Sequence, residues 1–77
     1  MKEEVRILDV KGLNCPMPLL KAKKALNEMS AQECLRVFAT DPGSKRDFEV
    51  FARQSGNDLL ESNVEDGVYS YLLKKKS

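Results

Sequence analysis

Seventy-seven residues with 13 Lys and Arg against 12 Asp and Glu, a net charge of +1, describe one small domain over residues 1–77, and such a chain buries only about 60% of its unfolded surface, enough for one core and no lid. The absence of His excludes an imidazole base, Ser-His and Cys-His nucleophile pairs and His-bearing zinc sites. Charge is balanced along the chain, seven positive against five negative groups in residues 1–40 and six against seven in 41–77, which argues against a dedicated nucleic-acid binder.

Val5-Arg-Ile-Leu-Asp-Val10 is β-branched, apolar and roughly alternating, and Lys11-Gly12 breaks it, so the first element is a strand. From Pro16 the period changes: Leu19, Ala22, Leu26 and Met29 recur at three- and four-residue steps, with Lys21, Lys23, Lys24 and Glu28 on the other side. This predicts an amphipathic helix of about four turns that starts at Pro16, since Pro16 and Pro18 are tolerated only in a first turn. Cys34-Leu-Arg-Val-Phe-Ala-Thr40 is a second strand, with Leu35, Val37 and Ala39 on one side. Asp41-Pro42-Gly43-Ser44 starts a second helix, either with Asp41 as N-cap and Pro42 first, or with Ser44 and Asp47 as a capping box. Phe48, Phe51 and Ala52 form its apolar stripe and Gly56 its C-cap. Leu59 to Val64 and Val68 to Leu73 are two short strands across Glu65-Asp66-Gly67, a hairpin signal, and Lys74-Lys-Lys-Ser77 trails off as a solvated tail.

The order β-α-β-α-β-β predicts an α/β (α+β) two-layer sandwich, a four-stranded mixed sheet with two helices on one face. No basic-then-apolar leader and no long apolar run is present, and the two cysteines, 19 positions apart, match neither a disulfide framework nor a C-x-x-C site. The expectation is a cytoplasmic chain with reduced thiols, no membrane contact and no metal.

Cys15 falls between the first strand and the first helix, where the helix N-terminus stabilises a thiolate. Pro16 and Pro18 remove two donors and leave the Met17 and Leu19 N–H groups for an anion, while stiffening the loop. The bland alternative is a small hydrophobe beside a stop-start proline pair. Gly12 is either the low-bulk bend that exposes Cys15 or an ordinary turn glycine, and Asp9 either braces the loop or is a solvated strand-end carboxylate. Asp41 and Asp47 are read first as caps. Cys34, without a proline or helix end beside it, is read as structural.

Asp9-x-x-Gly12-x-x-Cys15-Pro16-x-Pro18 resembles the signature of the TusA-like (SirA-like) sulfur carriers, and Asp41-Pro42 with Asp47 resembles the second segment of that pattern. The likeness runs from Leu8 to about Lys74. Gln32 stands where the family usually has glycine. Members are small two-layer sandwiches, similar in shape to the C-terminal domain of a bacterial translation initiation factor, and their motif cysteine carries sulfane sulfur as a persulfide. The resemblance therefore implies a sulfurtransferase without cofactor. Cys15 would be loaded by a cysteine desulfurase or rhodanese-like donor and would pass sulfur to an acceptor protein in tRNA thiolation, molybdenum-cofactor chemistry or sulfur oxidation. No base is needed if the helix end already favours the anion, and no second thiol is nearby to collapse the persulfide. The expected docking surface is Leu13 and Met17 beside the thiol, with Asp41, Lys21, Lys45 and Arg46 at the helix starts. The competing class is a non-catalytic protein-interaction or RNA-binding module using Lys21, Lys24, Lys45 and Arg46 as a basic face. An aromatic content of 6% without Trp disfavours base stacking.

Overall fold

The computed structural model describes residues 5–76, in the order β1 (Val5–Val10), α1 (Met17–Asn27), β2 (Cys34–Ala39), α2 (Ser44–Ser55), β3 (Asp58–Glu65) and β4 (Val68–Lys74). The four strands form one mixed sheet in the order β1-β2-β4-β3. β1 runs parallel to β2, with Val10 opposite Ala39, and β4 runs antiparallel to both β2 and β3. Alternation along the strands puts Val10, Leu35, Val37, Ala39, Tyr71 and Leu73 on the side the helices cover, where each is 1% exposed or less. Ala22, Ala25 and Leu26 of α1 and Phe48 of α2 complete that core, and the Phe48 and Tyr71 rings lie 4.6 Å apart. The predicted architecture is present.

Several boundaries differ from expectation. α1 begins at Met17, with Pro16 as its cap, because the Met17 N–H donates to the Asn14 carbonyl at 2.8 Å and the first helical bond runs from Leu20 N–H to the Pro16 carbonyl. The helix ends at Asn27, a turn shorter than its apolar period. Glu28 and Met29 bond back three residues to Ala25 and Leu26, tightening the end while Met29 stays buried. α2 starts at Ser44 after Gly43, and neither proposed cap is made. The Ser44 hydroxyl turns inward and shares a 2.6 Å hydrogen bond with the Tyr71 hydroxyl. The Ser44 N–H is instead closed by the Asp41 backbone carbonyl at 3.0 Å.

The turn between β3 and β4 holds Asp66 at φ +53° and Gly67 at φ +79°, the two left-handed residues that a tight hairpin needs. The chain end is not a solvated tail. Lys74 closes β4, the Lys75 ammonium donates to the Met29 carbonyl at 2.7 Å, and the Lys76 N–H donates to Asn57 Oδ1 at 2.8 Å. Ser77 lies outside the described residues. Gln32 takes a left-handed backbone, φ +74°, the conformation glycine adopts most readily. Its N–H donates to the Lys75 carbonyl and its side-chain amide to the Lys76 carbonyl, so the chain end anchors the loop before β2.

Candidate functional site

β1 and β2 are parallel neighbours, so the segments leaving them, and the helices those segments enter, begin at the same edge of the sheet. Two contacts tie that edge together. The Gly12 N–H donates to Thr40 Oγ1 at 2.9 Å, linking the loop after β1 to the end of β2. The Cys15 thiol donates to Asp47 Oδ2 at 3.0 Å, linking the head of α1 to the first turn of α2.

The loop that carries Cys15 is built from its own residues. Asp9 Oδ1 accepts the Lys11 N–H at 3.0 Å, and the Lys11 ammonium lies 3.6 Å from Asp9 Oδ2, so Asp9 braces the loop as well as meeting solvent. The Leu13 N–H returns to the Val10 carbonyl at 3.2 Å. Gly12 sits at φ +86° with no atom within 4 Å of where a Cβ would stand, so it is backbone conformation and not crowding that favours glycine there. Leu13 packs partly against the core, Pro18 is buried, and Met17 is 39% exposed beside the thiol.

Cys15 is exposed. The expected activation by the helix end is not what holds its sulfur. The Met17 N–H is already bonded to Asn14, and the thiol faces a carboxylate. The hydrogen bond to Asp47 stabilises the protonated form, partial desolvation adds to it, and the negative charges of Asp47 and Asp41 oppose ionisation. Together these push the Cys15 thiol above its ordinary value, the reverse of the depressed thiol expected from the helix end. Asp41 is half-buried in the loop before α2, with one carboxylate oxygen buried and unpartnered.

The remaining expected residues do not share one surface. Arg46 borders a groove of about 160 Å³ between the helices, with Asp47, Leu19, Lys23 and Phe51, and the Lys23 ammonium stands 5.6 Å from the Phe51 ring. Lys21, two residues from Lys23 and so roughly 200° round the helix, lies on the β1 side with Arg6, Lys24 and Glu28. Lys45 is engaged with Glu49 at 3.0 Å. The basic face of the RNA-binding alternative is thus divided between two sides of α1, with one of its cations paired. Two residues stand where local spacing did not put them: Asp47, read as a cap and as part of the second motif segment, accepts the Cys15 thiol, and Lys23, read as part of a polar helix face, borders the groove. The pairing of parallel β1 with β2 is the signal that could have brought Asp47 to Cys15.

Cys34 starts β2 and Cys15 sits beyond its far end. Five residue steps of a strand span about 16 Å, so the two thiols are far outside disulfide reach. Among the described residues no three His, Cys, Asp or Glu side chains gather as a metal site, and no helix is long and apolar enough to cross a membrane.

Fold and site place the chain among small two-layer α/β proteins that present one exposed thiol at the head of the first helix. Residues 6–75 match the family model described as sulfurtransferase TusA. The sulfur carrier protein TusA of Allochromatium vinosum is 57% identical over 68 residues, 88% of this chain and 90% of that protein. The sulfur carrier protein TusA of Pseudomonas putida is 39% identical over 71 residues, 92% of this chain and 89% of that protein. The crystal structure of a SirA-like protein from Desulfitobacterium hafniense superposes with a TM-score of 0.82 at 26% identity, over 96% of this chain and 100% of that one. The chain belongs to the TusA sulfurtransferase family.

Proposed function

We propose that the chain is a sulfur carrier that holds sulfane sulfur as a persulfide on Cys15. The observation that supports this best is an exposed thiol, fixed by a braced loop, in a chain whose second cysteine stands about five strand residues away. A relay needs a sulfur that partners can reach and that no resolving thiol can discharge.

In the receiving step the Cys15 sulfur, having lost its proton, attacks the terminal sulfur of a donor protein's persulfide. A new S–S bond forms on Cys15, the donor's S–S bond breaks, and its electron pair leaves on the donor cysteine as a thiolate. Delivery repeats the step with Cys15 as the leaving sulfur and an acceptor thiolate as the attacker. The donor is a desulfurase-type or rhodanese-like protein, and the acceptor lies in tRNA thiolation, molybdenum-cofactor chemistry or sulfur oxidation. No cofactor or metal takes part, and the setting is the reducing cytoplasm. Because a chain of this size cannot enclose its own sulfur, shielding comes from a docked partner. Its contacts are Leu13 and Met17, with Asp41 and Arg46 on the same edge and Lys21 and Lys45 farther out. Intact mass after incubation with a persulfide donor tests the reading: a reductant-sensitive gain of one sulfur supports it, and no gain refutes it.

A further inference from the structure

Carriage of sulfur on Cys15 leaves open what governs when that sulfur reacts. The thiol has a partner from a different element, Asp47 Oδ2 at 3.0 Å, in the first turn of α2. Asp47 is the acid of the first turn of α2, but that helix start has no side-chain capping bond, and its carboxylate accepts the thiol's hydrogen bond instead. Its carboxylate is half-buried at the end of the inter-helix groove, and its place is fixed from below: Ser44, one turn earlier, is tied to Tyr71 inside the core. A carboxylate can accept a hydrogen bond from a thiol but can only repel a thiolate.

Resting on the carrier reading, we infer that Asp47 is a positioning residue for sulfur transfer: it holds Cys15 as an uncharged thiol while empty and turns the sulfur outward once it is loaded. The group that meets Sγ is Asp47 from α2, and the negative charge of Asp41 in the loop before it adds to the same sign, while the first turn of α1 contributes no acid and Arg46 and Lys23 lie along the groove beyond Asp47. In the empty state the shared proton sits on sulfur, between Sγ and Oδ2. As the donor's persulfide arrives, that proton is released to solvent while Asp47 stays ionised, Sγ attacks the terminal sulfur, and the donor thiolate departs with the bonding pair. The product persulfide is a stronger acid than the thiol it replaces, so it ionises. Its anion cannot re-form the bond to Asp47, and repulsion favours rotamers that point the terminal sulfur away from α2, toward an acceptor. One side chain thus slows idle reaction and promotes delivery.

Asp47→Asn keeps the shape and removes the charge. The rate of Cys15 alkylation against pH is the readout, with the Cys15 peptide followed by mass. The inference expects the Asn variant's profile to shift to lower pH and its rate at pH 7 to rise about three-fold, within what one exposed charge contact supports. Glu49→Gln, the same loss of charge two residues along the same helix but facing Lys45, leaves the profile in place. Loading from a persulfide donor quickens in Asp47→Asn while delivery to an acceptor thiol slows. A merely structural role moves both rates the same way. Coincident alkylation profiles for wild type and Asp47→Asn, in proteins that both gain sulfur, overturn the role of Asp47 alone. A wild type that gains no sulfur overturns the carrier reading and this inference with it. If Asp47→Asn does not fold, the wild type still decides: a profile for the folded protein at or below that of the urea-unfolded chain contradicts the inference.

Discussion

The hydroxyls of Ser44 and Tyr71 form a buried polar pair at the base of α2, and its removal has a calculable cost. Ser44 is 1% exposed, Tyr71 is fully buried, and the bond between them is 2.6 Å. Tyr71→Phe keeps the ring against Phe48 and removes one partner, leaving the Ser44 hydroxyl buried without one. The cost is about 1–2 kcal/mol, the desolvation penalty of an unsatisfied hydroxyl. In a domain of 60–100 residues each kcal/mol moves the melting temperature by roughly 4–8 °C, so the variant melts roughly 5–15 °C below wild type. Ser44→Ala has the mirror effect on Tyr71. The double variant removes both groups and recovers about 1 kcal/mol relative to the sum of the singles. Burial also raises the Tyr71 phenol above its ordinary value of 10.0. A folded state that keeps its proton to higher pH than the unfolded chain is fully stabilised below that ordinary value and loses the contribution as pH rises through the folded one. The wild type therefore weakens in alkali where Tyr71→Phe shows a smaller decline. Urea melts of the four proteins from pH 7 into alkali measure both effects. Strict additivity, with Tyr71→Phe within 0.3 kcal/mol or so of wild type, would refute the reasoning.

Gly12→Ala costs about 1 kcal/mol, the penalty of a left-handed alanine, with no steric clash because the surrounding space is open; thermal melts report it. Gln32→Gly stabilises by roughly 0.5 kcal/mol, the strain relieved less the lost side-chain bond and the added chain entropy, whereas Gln32→Val destabilises by more than about 1 kcal/mol. Arg46→Glu, at the groove beside Asp47, slows sulfur receipt from a reconstituted donor and flattens its dependence on ionic strength without changing the fold. Rates measured across a salt series check it, and parallel curves for wild type and variant would remove Arg46 from the docking surface.

Elements bounded by strong local chemistry were legible in the residues: Val5–Val10 ends at Lys11-Gly12, and the β3–β4 hairpin turns at Asp66-Gly67. Helix starts were less so. Ser44-x-x-Asp47 reads as a capping box because local spacing is all a sequence displays, yet both side chains are claimed by residues distant in sequence, Tyr71 and Cys15. Long-range partners also explain the chain end, where a lysine run that looks solvated closes on Met29 and Asn57. At the site, the exposed Cys15 and its braced loop follow from Asp9, Gly12 and the prolines. The electrostatic sign at the sulfur does not, since a helix end beside a cysteine suggests a stabilised thiolate and only the packing of α2 against α1 brings the opposing carboxylate. Gln32 shows the converse: the loop geometry survives without glycine because hydrogen bonds to the Lys75 and Lys76 carbonyls hold a left-handed glutamine.

Tryptic mapping of the loaded protein shows which cysteine carries the sulfur. The two thiols separate cleanly, Cys15 in the peptide Gly12–Lys21 and Cys34 in Ala25–Arg36. After incubation with a persulfide donor, one additional sulfur, removable by reductant, is expected on the Gly12–Lys21 peptide, retained in Cys34→Ser and lost in Cys15→Ser. Sulfur on the Ala25–Arg36 peptide, or loading that survives Cys15→Ser, would contradict the account.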